Sequence, residues 1–120
     1  MELKSFLRSF RFALNGIQNL FNERNFRIQF LIGMVVALLG FLLKIDKFEW
    51  LIILLAIGII LSLEAINSAI ETLCNLVNPD YHPMIKKIKD ISAGAVLISS
   101  ILVAIVGIII FLPKIIIYIK

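Results

Sequence analysis

From Trp50 to Leu63 the chain reads WLIILLAIGIILSL, without a charged side chain, and the same helical period continues through EAINSAIETLCN. A run this apolar is long enough to enter the roughly 30 Å hydrocarbon layer of a bilayer, where only helices and closed barrels satisfy every backbone N–H and C=O. The choice of fold is therefore narrow before any motif is considered. The continuation is not apolar. Glu64, Asn67, Ser68, Glu71 and Asn75, with Ile66 and Ile70 between them, lie within roughly 60° of one direction on a helix turning about 100° per residue. An acidic side chain at a bilayer centre costs about 3 kcal/mol, so two carboxylates on one stripe of a membrane helix point to chemistry.

The rest of the composition agrees with a membrane protein. The 120 residues are 61% hydrophobic, and the mean hydropathy is +1.04; soluble domains hold roughly 45–50% apolar residues. A chain of this length forms one domain at most. One cysteine, Cys74, allows no intramolecular disulfide and no cysteine-rich zinc site, and reads as a packing residue. The net charge of +4 is spread over the flanks of the apolar runs rather than gathered into a nucleic-acid patch, so lipid headgroups are the expected partners and nucleic acid is not.

The organisation follows from periodicity. Leu3, Leu7, Phe10, Leu14, Ile17 and Phe21 mark one face of an N-terminal helix flanked by Lys4, Arg8 and Arg11. This predicts an amphipathic surface helix over 1–26, lying in the headgroup layer or packed on the protein's own bundle, two readings that are compatible. The stretch is long, aromatic and arginine-rich, unlike a cleavable leader, and is expected to be retained. Span one is expected over 27–45 and span two over 50–77, opened by Trp50 at an interfacial depth. A cytoplasmic loop over 78–90 contains NPDYHP, in which two prolines and turn-formers break the helix. Span three is expected over 91–112, stopped by Pro113. Lys4, Arg8, Arg11, Arg24 and Arg27 precede span one, and Lys86, Lys87 and Lys89 precede span three, against Lys44, Lys47, Lys114 and Lys120 on the other side. The positive-inside rule then places the N-terminus and the 78–90 loop in the cytoplasm and the C-terminus outside, in a multi-pass protein of the cell's inner or plasma membrane.

At the cytoplasmic edge three polar groups of residues are expected to meet: Glu23 with its neighbours Arg24, Asn25 and Arg27; Glu64, Asn67, Ser68 and Glu71; and Lys89 with Asp90. Magnesium takes oxygen ligands, usually one or two carboxylates completed by phosphates and water, so Glu23 and Glu71 are candidates to hold a metal–nucleotide complex. Phosphoryl transfer asks a protein mainly for positioning and charge neutralisation, which Lys89 is able to supply. Glu64 lies two turns from Glu71, about 10 Å by helical rise, at a depth suited to accepting a proton from a lipid hydroxyl.

The same residues carry a resemblance. Glu64-Ala-Ile-Asn-Ser-Ala-Ile-Glu71, the upstream Glu23-Arg-Asn-Phe, and Lys89-Asp90 followed by Ser-Ala-Gly-Ala-Val-Leu resemble the prokaryotic integral-membrane diacylglycerol kinase family, whose Gram-positive-type members phosphorylate undecaprenol. The resemblance covers nearly the whole chain and implies an all-α fold of one surface helix and three membrane helices, assembled as a homotrimer with active sites between protomers. It also implies an ATP- and magnesium-dependent lipid kinase, with Glu64 as catalytic base and Glu23 and Glu71 as magnesium ligands. Asp80, His82, Lys89 and Asp90 would help bind ATP, with Asn67 and Ser68 lining the site. Arg27 and Asn75 are placed with the lining residues. Asn75 stands where the family usually has an acidic residue, one turn after the second metal-binding glutamate, which predicts altered nucleotide contacts. The ERN form of the first motif leans towards undecaprenol over diacylglycerol.

Plainer roles exist for each group. Buried carboxylates and amides can pair across helices as oligomerisation glue. Asp90 can cap span three, Lys89 can anchor in headgroups, Glu23 can be a solvated first-turn charge and His82 an ordinary loop residue. From another class, a small proton-coupled transporter would also use a membrane glutamate, but proteins of that kind and size use four spans and need no Lys-Asp pair.

Overall fold

The computed structural model describes residues 2–120, and among them every regular element is helical. There are four helices: α1 (Glu2–Leu20), α2 (Arg24–Leu42), α3 (Lys47–Val77) and α4 (Pro83–Ile119). The last three are long and apolar enough to cross a membrane. The molecule is flat, measuring 56 × 45 × 21 Å, because α3 lies between α2 and α4 in a single layer. Most large apolar side chains of the three spans stay exposed in the single chain, the pattern expected where lipid rather than water is the surrounding solvent.

The first turn is tied locally. Asn22 and Glu23 donate back to Asn19 and Leu20, and the Arg27 guanidinium donates to the Phe21 carbonyl at 2.9 Å. Phe21 meets Phe26 and Phe30 edge to face, at 5.2 and 5.0 Å between ring centres. Such pairs contribute about 0.5–1.5 kcal/mol beyond their burial, and they hold α1 against the start of α2. Beyond that turn α1 buries no residue. Its apolar side chains Leu3, Leu7, Phe10 and Leu14 are exposed, the condition of a helix whose apolar face is left for the headgroup layer.

The α2–α3 turn is the best packed part of the chain. Ile45 N–H donates to Gly40 and Lys44 N–H to Phe41, which closes α2 with Lys44 in the left-handed region at φ 56°. A Cβ on Gly40 would stand 2.9 Å from Ile45 Cδ1 and 3.1 Å from the Trp50 ring, so glycine lets Ile45 and Trp50 fold back onto α2 without either side chain having to shift. Asp46 then opens α3 with a reciprocal capping box, its side chain accepting from Glu49 N–H while Glu49 accepts from Asp46 N–H. Ile45, Ile53, Ile110 and Phe111 form the buried cluster at this end.

Helix α4 departs from expectation at both ends. It starts at Pro83, so Lys86, Lys87, Lys89 and Asp90 lie on its first turns rather than in a loop. His82 is its N-cap, the imidazole Nδ1 accepting from Met84 N–H at 3.1 Å, and Asp90 caps nothing. Pro83 in the first turn is suited to this start, because its missing N–H would have had no helical partner. Nor does Pro113 stop the span, for the helix continues to Ile119. Proline removes one helical hydrogen bond but keeps a helical φ, and membrane helices tolerate it where packing holds the following turn. Here Ile115 packs on the buried cluster and Lys114 Nζ reaches Glu49 Oε1 at 3.1 Å.

Candidate active site

Near the far end of α3 the polar stripe splits between two hollows. One, of about 310 Å³, opens between α2, α3 and α4 and is lined by Asn25, Gln29, Glu64, Asn67, Glu71 and Ser100 with apolar neighbours. The other, of about 630 Å³, lies between α1 and α3 and takes in Glu23, Ser68 and Thr72. Asn67 and Ser68 are adjacent residues about 100° apart, so they fall on opposite flanks of the stripe.

In the smaller hollow Glu64 and Asn67 are 3% and 6% exposed, while Glu71 is exposed at the mouth. Asn67 Nδ2 donates to Glu71 Oε1 over a long 3.5 Å, and Asn67 Oδ1 is buried without a hydrogen-bond partner. A buried polar atom left unpaired costs about 1–3 kcal/mol, so this oxygen marks a place for a donor or a cation. Ser68 is turned the other way, its carbonyl accepting from the Thr72 hydroxyl at 2.9 Å.

The basic residues come from the start of α4. Lys89 Nζ donates to Asn75 Oδ1 at 2.6 Å, joining the end of α3 to the start of α4. Lys86 pairs with Asp90 at 2.6 Å on the exposed side of the same turns. Asp80 is held by its own backbone N–H, which donates to Asn78 Oδ1 at 3.0 Å, and His82 is engaged as the cap. The structure thus brings Glu64, Asn67 and Glu71 together and sets Lys89 beside Asn75. Glu23 is not in their hollow, and the Arg27 guanidinium is turned to the α1 carboxyl end. Among the described residues no three Asp, Glu, His or Cys side chains gather closely enough to hold a metal unaided.

Gln29 and Ser100 were not among the expected site residues, although both line the acidic hollow. Gln29 had a legible signal: it follows Asn25 by four residues, which places two amides on one face of an otherwise apolar helix. Ser100 had none, because a serine within a span more often satisfies itself on the backbone, as Ser99 does by donating to Val96 O at 2.8 Å.

Three membrane-length helices, with a buried acid and amide between them and a lysine bonded to the following turn, define a small polytopic membrane protein with a polar hollow among its helices. Comparison with known proteins specifies it. The profile described as prokaryotic diacylglycerol kinase matches residues 11–111, and the chain belongs to that family. It is similar to undecaprenol kinase of Bacillus subtilis (strain 168), 41% identical over 114 residues that cover 94% of this chain and 93% of that one. It is 37% identical over 109 residues to a diacylglycerol kinase of Synechocystis, covering 89% of this chain and 62% of the longer relative. A diacylglycerol kinase of Haemophilus influenzae is 29% identical over 105 residues, covering 87% and 89%. The protein is therefore a membrane lipid kinase, a family membership that implies the use of ATP, and the transporter alternative is set aside.

Proposed function

We propose that the protein phosphorylates undecaprenol, transferring the γ-phosphate of ATP to the terminal hydroxyl of the lipid, with Glu64 as the catalytic base. The observation that carries this reading is the buried Glu64–Asn67 pair beside Glu71 at the mouth of a hollow between membrane helices. A long-chain alcohol reaches that depth from the bilayer, while a triphosphate approaches from water, and Glu71 stands where the two routes meet. The similarity to the B. subtilis undecaprenol kinase over nearly all of both chains supports the acceptor.

In the proposed reaction the lipid hydroxyl oxygen attacks the γ-phosphorus, its proton passes to a Glu64 carboxylate oxygen, and the bond to the bridging oxygen breaks to release ADP. The donor set fits magnesium: carboxylate and amide oxygens only, including the unpartnered Asn67 Oδ1, which is what a hard cation takes. Glu71 and Glu23 would hold it, and when bound it neutralises phosphate charge. Glu23 caps the start of α2 and opens on the neighbouring hollow, and a shift of its side chain with the short α1–α2 connection is the movement by which we bring it to Glu71. Lys89 exchanges its bond to Asn75 for a phosphate oxygen, and Asp80, His82 and Asp90 lie on the adjoining surface where the nucleoside is received. Arg27, Ser68 and Asn75 line the approach.

We place the N-terminus in the cytoplasm, the C-terminus outside, and the nucleotide on the cytoplasmic face, from the distribution of Lys and Arg. The working unit is taken as a homotrimer, because one flat chain does not enclose two substrates. The deciding assay compares undecaprenol and diacylglycerol side by side in mixed micelles with labelled ATP. Faster turnover of undecaprenol is expected, and preferential labelling of diacylglycerol would replace the acceptor while leaving the kinase intact.

A further inference from the structure

At the end of the molecule remote from Glu64 lies a second polar feature that phosphoryl transfer does not use. Leu42, Leu43, Lys44, Lys114, Ile117 and Tyr118 line a hollow of about 310 Å³ at the carboxyl ends of α2 and α4. Its walls are aliphatic and its rim carries two ammonium groups and a phenol. We propose that this hollow binds an anionic phospholipid of the bilayer leaflet opposite the kinase site, its phosphodiester held between Lys44 and Lys114.

Three observations support the assignment. The first is charge. Lys114 is half-buried and paired with Glu49 at 3.1 Å, whereas Lys44 is exposed, so two ammonium groups less one carboxylate leave one positive charge at the rim. That balance suits the single negative charge of a phosphodiester. Asp46, the other nearby acid, is turned onto the α3 amino end and does not line the hollow. The second is backbone strain. Lys44 occupies the left-handed position that closes α2, at φ 56°, where glycine is the unstrained choice, yet the residue placed there carries an ammonium group. The third is position. Leu42 and Ile117 continue the outward-facing surfaces of their helices, while Leu43 packs back on the buried cluster, so a molecule seated here has its head among the lysines and its chains along the apolar faces of α2 and α4. A soluble phosphate would leave those walls uncovered, which favours the lipid.

The experiment uses the full-length protein in phosphatidylcholine vesicles doped with a phosphatidylglycerol whose glycerol headgroup carries a photoreactive diazirine. Labelled peptides are mapped by mass spectrometry, with a headgroup-matched phosphatidylcholine probe as comparison. Labelling of the 42–44 and 114–118 segments by the anionic probe, and not by the zwitterionic one, is expected. Lys44→Gln should lower that labelling about fivefold, the effect of one headgroup-depth lysine, while labelling along α1 stays unchanged. Glu49→Gln, which frees the Lys114 charge, should raise it. Lys44→Gly removes the same charge while relieving the backbone, so its labelling must fall as well, with kinase turnover reporting that the chain is folded. Equal labelling by both probes, or labelling that survives both Lys44 variants, would overturn the proposal. Displacement by millimolar glycerol phosphate would overturn the lipid as ligand.

Discussion

Glu64 and Glu71 are two turns apart on one helix, yet their surroundings differ enough to divide the proposed work between them. Glu64 is buried beside Asn67, and Glu71 stands exposed at the mouth of the same hollow. A general base contributes roughly 10²–10⁴-fold to rate. Glu64→Gln keeps the size and hydrogen-bonding capacity of the side chain but cannot take up a proton, so turnover should fall by about that factor with little change in the KM for ATP. Wild-type turnover in that variant would remove Glu64 as the base. Glu71→Gln should act on the cation instead, with the magnesium concentration for half-maximal rate rising about tenfold or more and turnover partly recovering when magnesium is raised. Both positions were legible from the period of the stripe, as was Asn67. The division of that stripe between two hollows was not, because which flank a helix turns to each neighbour depends on packing. Gln29 is the clearest omission: its spacing from Asn25 marks a polar face on α2, but only the packing of α2 beside Glu64 shows that this face lines the acidic hollow.

Each helix shows how far local chemistry decides its ends. The Asp46–Glu49 capping box is a sequence signature that the structure realises in full, and Asp46→Ala should lower stability by about 1 kcal/mol in a detergent melt. Turnover at fixed protein concentration should be unchanged, since the box lies at the opposite end of α3 from the proposed site. Gly40 makes a larger demand. A Cβ there meets Ile45 and the Trp50 ring inside normal contact distance, so Gly40→Val should cost about 1–3 kcal/mol by overpacking and lower the melting temperature accordingly. Pro113 and the start of α4 are where local reasoning misled. A proline ordinarily argues for a helix end, but here Ile115 and Lys114 make tertiary contacts that hold the last turns. At the other end, His82 and Pro83 start the helix earlier than hydropathy alone indicates, because charged first turns lie outside the apolar window that defines a span.

At the scale of the molecule, the proposed orientation puts the amino and carboxyl ends on opposite sides of the membrane. A reporter active only in the cytoplasm should function when fused before α1 and fail when fused after Ile119; activity at both ends would contradict the proposed orientation. Residues 2–120 form a sheet of helices only 21 Å deep, whose outward faces carry many large apolar side chains available to lipid or to further copies of the chain. The sequence by itself determined that this is a helical membrane protein with an acidic stripe at one edge, because a bilayer leaves apolar segments of this length few alternatives and a helical period cannot hide which residues share a face. Only tertiary structure decided that Glu64, Asn67 and Glu71 open towards α2 and α4 while Glu23 and Ser68 open towards α1, and that Lys89 reaches Asn75. Those placements come from how three helices pack against one another, and a periodic pattern records the face of a helix without recording its neighbour.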